Sequence, residues 1–150
     1  MRALIQRVTT ASVLVENKIV GHIGKGLLVL LGIEPEDNHE DIEYLVKKCA
    51  HLRIFDNEQG VMNFSITEIK GQVLIVSQFT LSASTNKGNR PSYIRAAKPD
   101  LALLRYELFI QKMKEENLKV ESGLFGAMMQ VSLINDGPVT IWLDSKNRKY

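Results

Sequence analysis

The sequence has little cysteine, proline or tryptophan, and these scarcities exclude several classes of protein. Among 150 residues there are one cysteine, four prolines and one tryptophan. The single cysteine, Cys49, excludes an internal disulfide framework and is typical of a protein kept in a reducing compartment. A chain of this size buries roughly 68–70% of its unfolded surface and needs no such cross-link. With 45% hydrophobic and 24% charged residues, the composition is that of an ordinary soluble globular protein.

Long apolar runs and a strong excess of charge are also missing. No stretch of 18 apolar residues occurs, so no transmembrane helix is expected. Met1–Arg7 holds no apolar run long enough for a secretory signal peptide. The net charge of +2 is small for a protein that wraps long nucleic-acid duplexes, although it allows contact with RNA over a small patch. We expect one cytoplasmic domain over residues 1–150, with no membrane partner.

The usual signatures of metal, cofactor and nucleophile sites are absent. His22, His39 and His51 lack ligand spacing and have no cysteine pair to join, so no metal site is predicted. The glycine-rich segment 21–26 joins strands instead of opening a helix, which argues against a dinucleotide site. No Gly-x-Ser-x-Gly elbow occurs, and Cys49 lies on the apolar face of its helix, where packing is expected. We predict no cofactor, and an enzyme of this sequence would lack the usual side-chain machinery.

Hydrophobic periodicity predicts an α+β fold with mostly antiparallel or mixed sheets. Predicted strands cover residues 4–8, 12–15, 19–23, 27–33, 52–55, 73–79, 118–121, 129–134 and 139–143. One helix is predicted to begin at a capping box of Asp37 and Glu40, and a second begins at Pro99. A turn is predicted at Thr9–Thr10, and a long polar loop at Ser82–Lys98. Loops of that length tend to be functional or mobile.

The first segment that points to function is Ser77–Leu81, which reads Ser-Gln-Phe-Thr-Leu. It stands where a buried-type strand enters the long loop, and strand ends present backbone N–H groups and short polar side chains to ligands. In the simpler interpretation, Ser77 and Thr80 satisfy backbone groups at the strand end and Phe79 fills the core.

The second segment is Asn135–Thr140, which reads Asn-Asp-Gly-Pro-Val-Thr. Between two apolar strands this is a turn signal, and a plain turn is the simpler interpretation. An X-Pro bond is also a place where the cis isomer costs only about 0.5–1 kcal/mol. The isomer of Gly137–Pro138 stays open at this stage.

Together the two segments resemble the D-aminoacyl-tRNA deacylase family, which carries Ser-Gln-Phe-Thr and Asn-x-Gly-Pro-x-Thr motifs about this far apart. The resemblance continues, in order, through Met1–Val8, Gly26–Gly32, Leu52–Phe55, Met62–Asn63, Lys87–Ser92 and Phe125–Met129. The sequence departs from the family at Ser82, where an aromatic residue is frequent, and at Asn86 and Asn89, where basic residues are frequent. The resemblance implies barrel-like sheet layers with two main helices packed on one side.

The resemblance also implies an activity and a divided site. The family hydrolyses the ester that joins a D-amino acid, or a wrongly attached glycine, to the terminal adenosine of tRNA, and it acts as a homodimer. Gly137 and Pro138 would form the family's Gly-cis-Pro element, which enters the partner's active site and rejects an L side chain by clash. The other side of the pocket would be formed by Ser77, Gln78, Phe79 and Thr80.

Two mechanisms of activation stay open. Backbone N–H groups near Phe79 and Thr80 are candidate donors to the developing oxyanion. Thr80 is the obvious nucleophile, but threonine needs an adjacent base and no histidine is near it in sequence. We therefore favour activation by a ribose hydroxyl of the substrate, with Thr80 shaping the pocket.

Candidate contacts with the acceptor end of the tRNA lie mostly in the long loop. They are Lys87, Arg90, Arg95 and Met129, together with Lys98 beside the loop, and the basic ones would neutralise phosphates. The charges of the tail, Lys146, Arg148 and Lys149, either solubilise the protein or extend this contact.

Two other functions are compatible with the motifs. One is a related deacylase that edits an L-aminoacyl-tRNA, for which a trans Gly137–Pro138 bond is expected. The other is a non-catalytic module that binds the acceptor end of tRNA.

Overall fold

The computed structural model describes residues 1–149, and Tyr150, the last residue of the predicted tail, lies outside the described residues. The strands are β1 (Arg2–Val15), β2 (Lys18–Ile23), β3 (Gly26–Gly32), β4 (Phe55–Asp56), β5 (Met62–Phe64), β6 (Gln72–Ser77), β7 (Lys119–Ser122) and β8 (Gln130–Asp144). The helices are α1 (His39–His51) and α2 (Pro99–Glu115), and a 3-10 turn covers Phe79–Ser82. No helix within residues 1–149 is both long enough and apolar enough to cross a bilayer.

Six of the strands form one mixed sheet that nearly closes as a barrel. Its order is β2-β1-β3-β6-β7, and β8 pairs with β1 along its other edge. The pairs made by β1 are antiparallel, whereas β3–β6 and β6–β7 are parallel because each follows a crossover that contains a helix. A separate antiparallel pair joins β4 and β5. The predicted α+β class with mixed sheets is therefore confirmed, although fewer strands are joined by hairpins than the sequence indicates.

The core has two parts because β3 and β6 are covered on both faces. Leu27 and Val29 of β3 face the helices and belong to the same apolar cluster as Phe109 of α2. All three residues are buried. Leu28 and Leu74 point the other way, into a second apolar cluster. The prediction that these continuous apolar runs are strands buried on both faces is confirmed.

Cys49 belongs to the helix-facing part of the core. It is fully buried, and burial raises the pKa of its thiol to about 12. A thiol held in that state is not a nucleophile at neutral pH, so the interpretation of Cys49 as a packing residue is confirmed.

Two segments that the sequence predicts as turns, Thr9–Thr10 and Asn135–Pro138, are β-bulges within continuous strands. The turn predicted at Thr9–Thr10 is wrong, because β1 runs without a break from Arg2 to Val15. Val8 pairs with Asn135 and Thr10 pairs with Ile134, so Thr9 is an extra residue opposite β8. Such a β-bulge uses the same residues as a turn but keeps the chain in the sheet.

Asn135–Pro138 is likewise a bulge and not a turn between two strands. Asn135 pairs with Val8 and Thr140 pairs with Gln6, so β8 advances five residues while β1 advances two. The three extra residues make Gly137–Pro138 protrude from the strand.

Two smaller predictions are also corrected. The capping box of α1 is formed by Asn38 and Asp41, one residue later than predicted: Asn38 Oδ1 accepts from the Asp41 N–H at 3.3 Å, and Asp41 Oδ2 accepts from the Asn38 N–H at 2.8 Å. Asp37 binds the amino group of Met1 instead. The strand predicted over 73–79 ends at Ser77.

Candidate functional site

The Ser77–Leu81 segment leaves the sheet through a tight turn. The Gln78 N–H donates to Leu31 O at 2.8 Å, which is the last backbone hydrogen bond to β3, and the chain then enters the 3-10 turn of residues 79–82, hereafter the 79–82 turn. This turn packs closely on Gly32. A Cβ at Gly32 would lie 2.9 Å from Leu81 Cβ and 3.2 Å from Gln78 O. The absence of a side chain at Gly32 therefore allows the turn to sit against the end of β3.

The ring of Phe79 is presented outward, whereas the other residues of the segment are partly buried. Phe79 is 57% exposed, so the simpler interpretation that it fills the core is wrong. Its ring packs edge-on against Tyr93, with 5.0 Å between centroids and 74° between planes. Gln78 Nε2 donates to Thr80 Oγ1, which fixes the two side chains relative to each other. The turn thus presents an aromatic surface beside a polar pair.

Tyr93 was not identified from the sequence. It reaches Phe79 because Ser84 and Ser92 form an antiparallel bridge, with N–H to O distances of 2.8 and 2.9 Å, that closes the loop between them. An isolated aromatic residue in a polar loop was the available signal. The candidate tRNA contacts Lys87 and Arg90 lie exposed in the closed part of this loop.

The remaining candidate tRNA contacts are placed differently. Arg95 is about half exposed and its Nη2 lies 3.5 Å from Glu34 Oε1. Met129 is partly buried against the second apolar cluster, which contains Leu28 and Leu74, and its sulfur would lie 2.7 Å from a Cβ on Gly123.

Tyr106 of α2 binds the backbone near the end of β6 on the face of the sheet that the helices cover. Its hydroxyl donates to Ile75 O at 2.8 Å. Burial raises the pKa of Tyr106 to about 12, although hydrogen bonds with the Ser122 side chain and the Ser77 backbone oppose the rise. The strand end is therefore held on the helix side by a neutral phenol.

The Gly137–Pro138 peptide bond is cis, and Gly137 has a φ of +130°. A side chain at Gly137 would meet Val139 Cγ2 at 2.8 Å and Arg7 Nη2 at 3.0 Å. Both Gly137 and Pro138 are exposed. The bulge therefore presents backbone groups to its surroundings at a position that favours glycine.

Two polar side chains of the motif brace this bulge. The Val139 N–H donates to Asn135 Oδ1 at 2.9 Å, and Asn135 Nδ2 donates to Thr140 Oγ1 at 2.9 Å. Asn135 and Thr140 thus satisfy backbone and side-chain groups across the base of the bulge.

Arg7 anchors the same bulge and was missed by the sequence analysis. Its Nε donates to Asp136 O at 3.0 Å and its Nη1 donates to Ile54 O at 2.7 Å, and the residue is 5% exposed. The alternation of buried residues in β1 could have revealed it, because Arg7 occupies the next buried position after Ala3 and Ile5. A charged residue in that phase needs buried partners.

The two motif segments do not meet within one chain. Ser77 pairs with Leu31 and Leu31 pairs with Ala3, which in turn pairs with Leu143. Three strand spacings separate the segments by roughly 14 Å, and the offset along β1 from Ala3 to the bulge, which lies between Gln6 and Val8, adds roughly 13 Å.

No side chain suited to be a base contacts Thr80 among residues 1–149. Gln78 is an amide, and the histidines lie elsewhere: His22 near Thr10, His39 near Glu43 and His51 against Glu116. Two surface cavities, of about 430 and 360 Å³, also lie away from the motifs, one beside Tyr44 and His51 and one beside Asn38 and the tail.

Comparison with known proteins identifies relatives over almost the whole chain. The family model described as D-Tyr-tRNA(Tyr) deacylase matches residues 4–144. The D-aminoacyl-tRNA deacylase of Thermosipho africanus is 60% identical over 146 residues, which are 97% of this chain and 98% of the relative.

Two solved structures share the fold. The structure titled c-Myc DNA Unwinding Element Binding Protein has a TM-score of 0.90 and 40% identity, covering 96% of this chain and 98% of that one. A structure titled as a probable eukaryotic D-amino acid tRNA deacylase has a TM-score of 0.79 at 19% identity, covering 95% and 97%, and supports the fold alone. The matched span contains both motif segments, and on the sequence identity and the family model the chain belongs to the D-Tyr-tRNA(Tyr) deacylase family.

Proposed function

We propose that this protein hydrolyses the ester bond of D-aminoacyl-tRNA, releasing the free D-amino acid and the tRNA. The observation that carries the proposal is the family match over residues 4–144, which includes both motif segments. The name of the relative that is 60% identical supports the same activity. We extend the proposal to removal of glycine from a non-cognate tRNA.

The 79–82 turn is proposed to bind the reacting ester. The first N–H groups of a helical turn have no acceptor inside it, and here they belong to Phe79 and Thr80. They are our candidates for the donors that stabilise the oxyanion when water attacks the ester carbon. A donor of this kind typically lowers the activation barrier by about 2.7–4 kcal/mol. Ser77 and Gln78 complete this side of the pocket.

The other side of the pocket is proposed to come from a second copy of the chain. Within one chain Gly137–Pro138 lies far from Ser77–Thr80, as the strand register requires. The bulge protrudes, and beside it Ile134 and Trp142 of β8 are 59% and 40% exposed. A two-fold interface that includes β8 places each bulge in the partner's pocket.

This arrangement accounts for selection by handedness. Backbone carbonyl groups of Gly137 and Pro138 facing the substrate α-carbon leave no room for an L side chain, so rejection occurs by clash. Glycine has no side chain and passes the same filter.

The proposed chemistry needs a proton acceptor that the pocket does not supply. Water adds to the ester carbon and gives up a proton, the oxyanion collapses, and the ester C–O bond breaks as the ribose oxygen takes up that proton and leaves. Because Thr80 contacts an amide and not a base, we propose that a ribose hydroxyl of the substrate assists. Thr80 then shapes the pocket through its hydrogen bond with Gln78.

Contacts with tRNA phosphates are proposed for Lys87, Arg90 and Arg95, with Met129 nearer the pocket. Lys87 and Arg90 are exposed and free to reach the backbone of the acceptor end. Few contacts suffice for a grip on this end alone, which agrees with the net charge of +2.

The decisive experiment compares hydrolysis of one tRNA charged with D-tyrosine, L-tyrosine or glycine. We expect release of D-tyrosine and glycine, and L-tyrosyl-tRNA stable over the same time. Phe79→Ala should lower the rate, whereas Leu104→Ala, at an exposed apolar position of α2, should not. Preferential release of L-tyrosine would assign the protein to L-editing, and tRNA binding without release would make it a binding module.

A further inference from the structure

Arg2 lies at the junction of three segments: the 79–82 turn, the connection that follows β3 and the end of β8. Its Nη1 donates to Leu81 O at 3.1 Å. The same Nη1 lies 2.8 Å from Glu34 Oε1, and its Nε donates to Asp144 Oδ2 at 3.2 Å. One guanidinium thus joins the turn to the connection that follows β3 and to the end of β8.

The contact with Leu81 O satisfies a carbonyl at the end of the turn. The last carbonyl groups of a helical turn have no donor inside it and need an outside partner. The pair between Glu34 Oε1 and Arg2 Nη1 is close, but its angle is outside hydrogen-bond geometry. It is therefore an ion pair without a hydrogen bond, whereas one of the two Nη1 hydrogens is directed at Leu81 O.

Two carboxylates hold the guanidinium in this orientation. The side chains of Glu34 and Asp144 are each 14% exposed, and that of Arg2 is 12% exposed. Burial alone raises the pKa of Asp144, but hydrogen bonds with the Lys146 backbone and with Arg2 outweigh it and lower the pKa. Asp144 is therefore ionised at neutral pH, and the pairs are only slightly screened by solvent.

Glu34 also connects the turn to the long loop. Arg95 Nη2 approaches the same Glu34 Oε1 at 3.5 Å. The backbone of this connection is fixed independently, because Arg105 Nη1 donates to Glu34 O at 2.9 Å and to Pro35 O at 3.1 Å.

We propose that Arg2 is a positioning residue for the deacylation reaction, which holds the 79–82 turn and its Phe79 and Thr80 N–H groups in the reactive geometry. The inference rests on the proposed placement of the pocket at this turn. Lysine cannot replace Arg2, because a single ammonium group does not present the planar fork that meets Leu81 O, Glu34 and Asp144 together.

The test compares Arg2→Lys with Arg105→Gln as the matched control. Arg105 binds the same connection but does not touch the turn. We expect Arg2→Lys to lower kcat by about ten- to a hundredfold with little change in KM, the range that a misplacement of about 1 Å produces. Arg105→Gln should keep kcat within about twofold of the unmodified protein, since a modest loss of stability does not alter the folded site.

Amide hydrogen exchange reports the turn directly. The N–H groups of Leu81 and Ala83 donate to Gln78 O and Thr80 O, and their exchange should accelerate in Arg2→Lys but not in Arg105→Gln. If Arg2→Lys folds poorly, Glu34→Gln serves as the second variant, because it keeps the shape of the side chain and removes one carboxylate. We expect it to accelerate the same exchange by a smaller factor. Equal losses of kcat in Arg2→Lys and Arg105→Gln, or unchanged exchange in both Arg2→Lys and Glu34→Gln, would overturn the proposal.

Phe79→Ala separates this inference from the placement of the pocket. Alanine keeps the backbone N–H and removes only the exposed ring, so a fully active Phe79→Ala would show that this ring is not part of the pocket and would count against the placement of the pocket at the 79–82 turn. A Phe79→Ala variant that loses activity, beside an Arg2→Lys variant that keeps it, would refute the role of Arg2 alone.

Discussion

Thr80 distinguishes the two possible mechanisms, in which its hydroxyl is either the nucleophile or a group that shapes the pocket. Its Oγ1 accepts a hydrogen bond from Gln78 Nε2, and an amide cannot take up the proton of a nucleophile. A structural contribution of this hydrogen bond and a catalytic contribution of the hydroxyl predict very different losses of rate.

Thr80→Val preserves the shape of the side chain and removes the hydroxyl. If Thr80 shapes the pocket, the loss is that of one ordinary hydrogen bond, about 0.5–1.5 kcal/mol, and kcat falls at most roughly tenfold. Single-turnover hydrolysis of D-tyrosyl-tRNA measures it, with Thr85→Val in the exposed loop as control. Near-complete loss of hydrolysis with tRNA binding intact would instead make Thr80 the nucleophile.

Asp41 makes stability depend on pH. Burial alone raises its pKa, but hydrogen bonds with Lys146, the Asn38 backbone and Ser145 outweigh burial and lower the pKa below its usual value. A carboxyl whose folded pKa is depressed stabilises the fold above its unfolded pKa, near 3.9. That contribution is lost as the pH falls through the folded pKa.

Asp41→Asn is therefore expected to lower the free energy of unfolding by about 1.5–3 kcal/mol at pH 7, the size of a hydrogen bond to a charged group. The difference from the unmodified protein should shrink at a pH below the folded pKa, where Asp41 is protonated. Urea unfolding at both pH values measures it, and Glu58→Gln, at an exposed position in a turn, is the control. A difference independent of pH would show that the charge of Asp41 is not responsible.

At the scale of elements, the sequence predicts strands better than the irregularities within them. The strands β3 and β6 were predicted because a continuous apolar run of their length is typical of burial on both faces. Thr9–Thr10 and Asn135–Pro138 were assigned to turns because turns and bulges use the same residues. Only the register of β1 against β8 distinguishes them, and that register depends on residues more than 100 positions away.

The candidate site divides in the same way. Ser77–Thr80 and Gly137–Pro138 stand out as contiguous motifs and could be found by resemblance. Arg2, Arg7 and Tyr93 act through contacts with residues distant in sequence, and no local pattern states their partners. The available signals were the buried phase of Arg7 in β1 and the isolated aromatic residue Tyr93 in a polar loop.

Gly32 links one element to another, because it lets the 79–82 turn pack on the end of β3. Gly32→Ala would bring a Cβ to 2.9 Å from Leu81 Cβ and 3.2 Å from Gln78 O, so the turn must move outward by several tenths of an ångström. We expect kcat to fall about tenfold or more, because small displacements of reacting groups are costly. Gly24→Ala is the matched control, since a Cβ there meets no atom within 4 Å.

The comparison is made on D-tyrosyl-tRNA, with thermal unfolding measured in parallel. The result that contradicts the prediction is a Gly32→Ala protein that is destabilised but has an unchanged kcat.

At the scale of the whole molecule, the proposed site requires two chains. A mixed dimer tests this, with Phe79→Ala in one chain and Gly137→Ala in the other. Each homodimer carries two defective pockets and should hydrolyse D-tyrosyl-tRNA slowly. The mixed dimer has one pocket with both halves intact, so we expect about half of the unmodified activity, as the two-fold symmetry requires.

Dimers purified through two different affinity tags provide the sample, and tagged dimers of the unmodified chain provide the reference. If each pocket were built from a single chain, both pockets of the mixed dimer would carry a defect and activity would stay low.

The pairing of β1 with β8 has a consequence for synthesis of the protein. Arg2 lies opposite Asp144, so the central strand leaves the ribosome more than 100 residues before its partner. At about 5–20 residues per second, the β1 edge waits on the order of ten seconds for β8. An unpaired strand edge is a template for aggregation. We therefore expect this edge to be the segment of the nascent chain that most needs a chaperone.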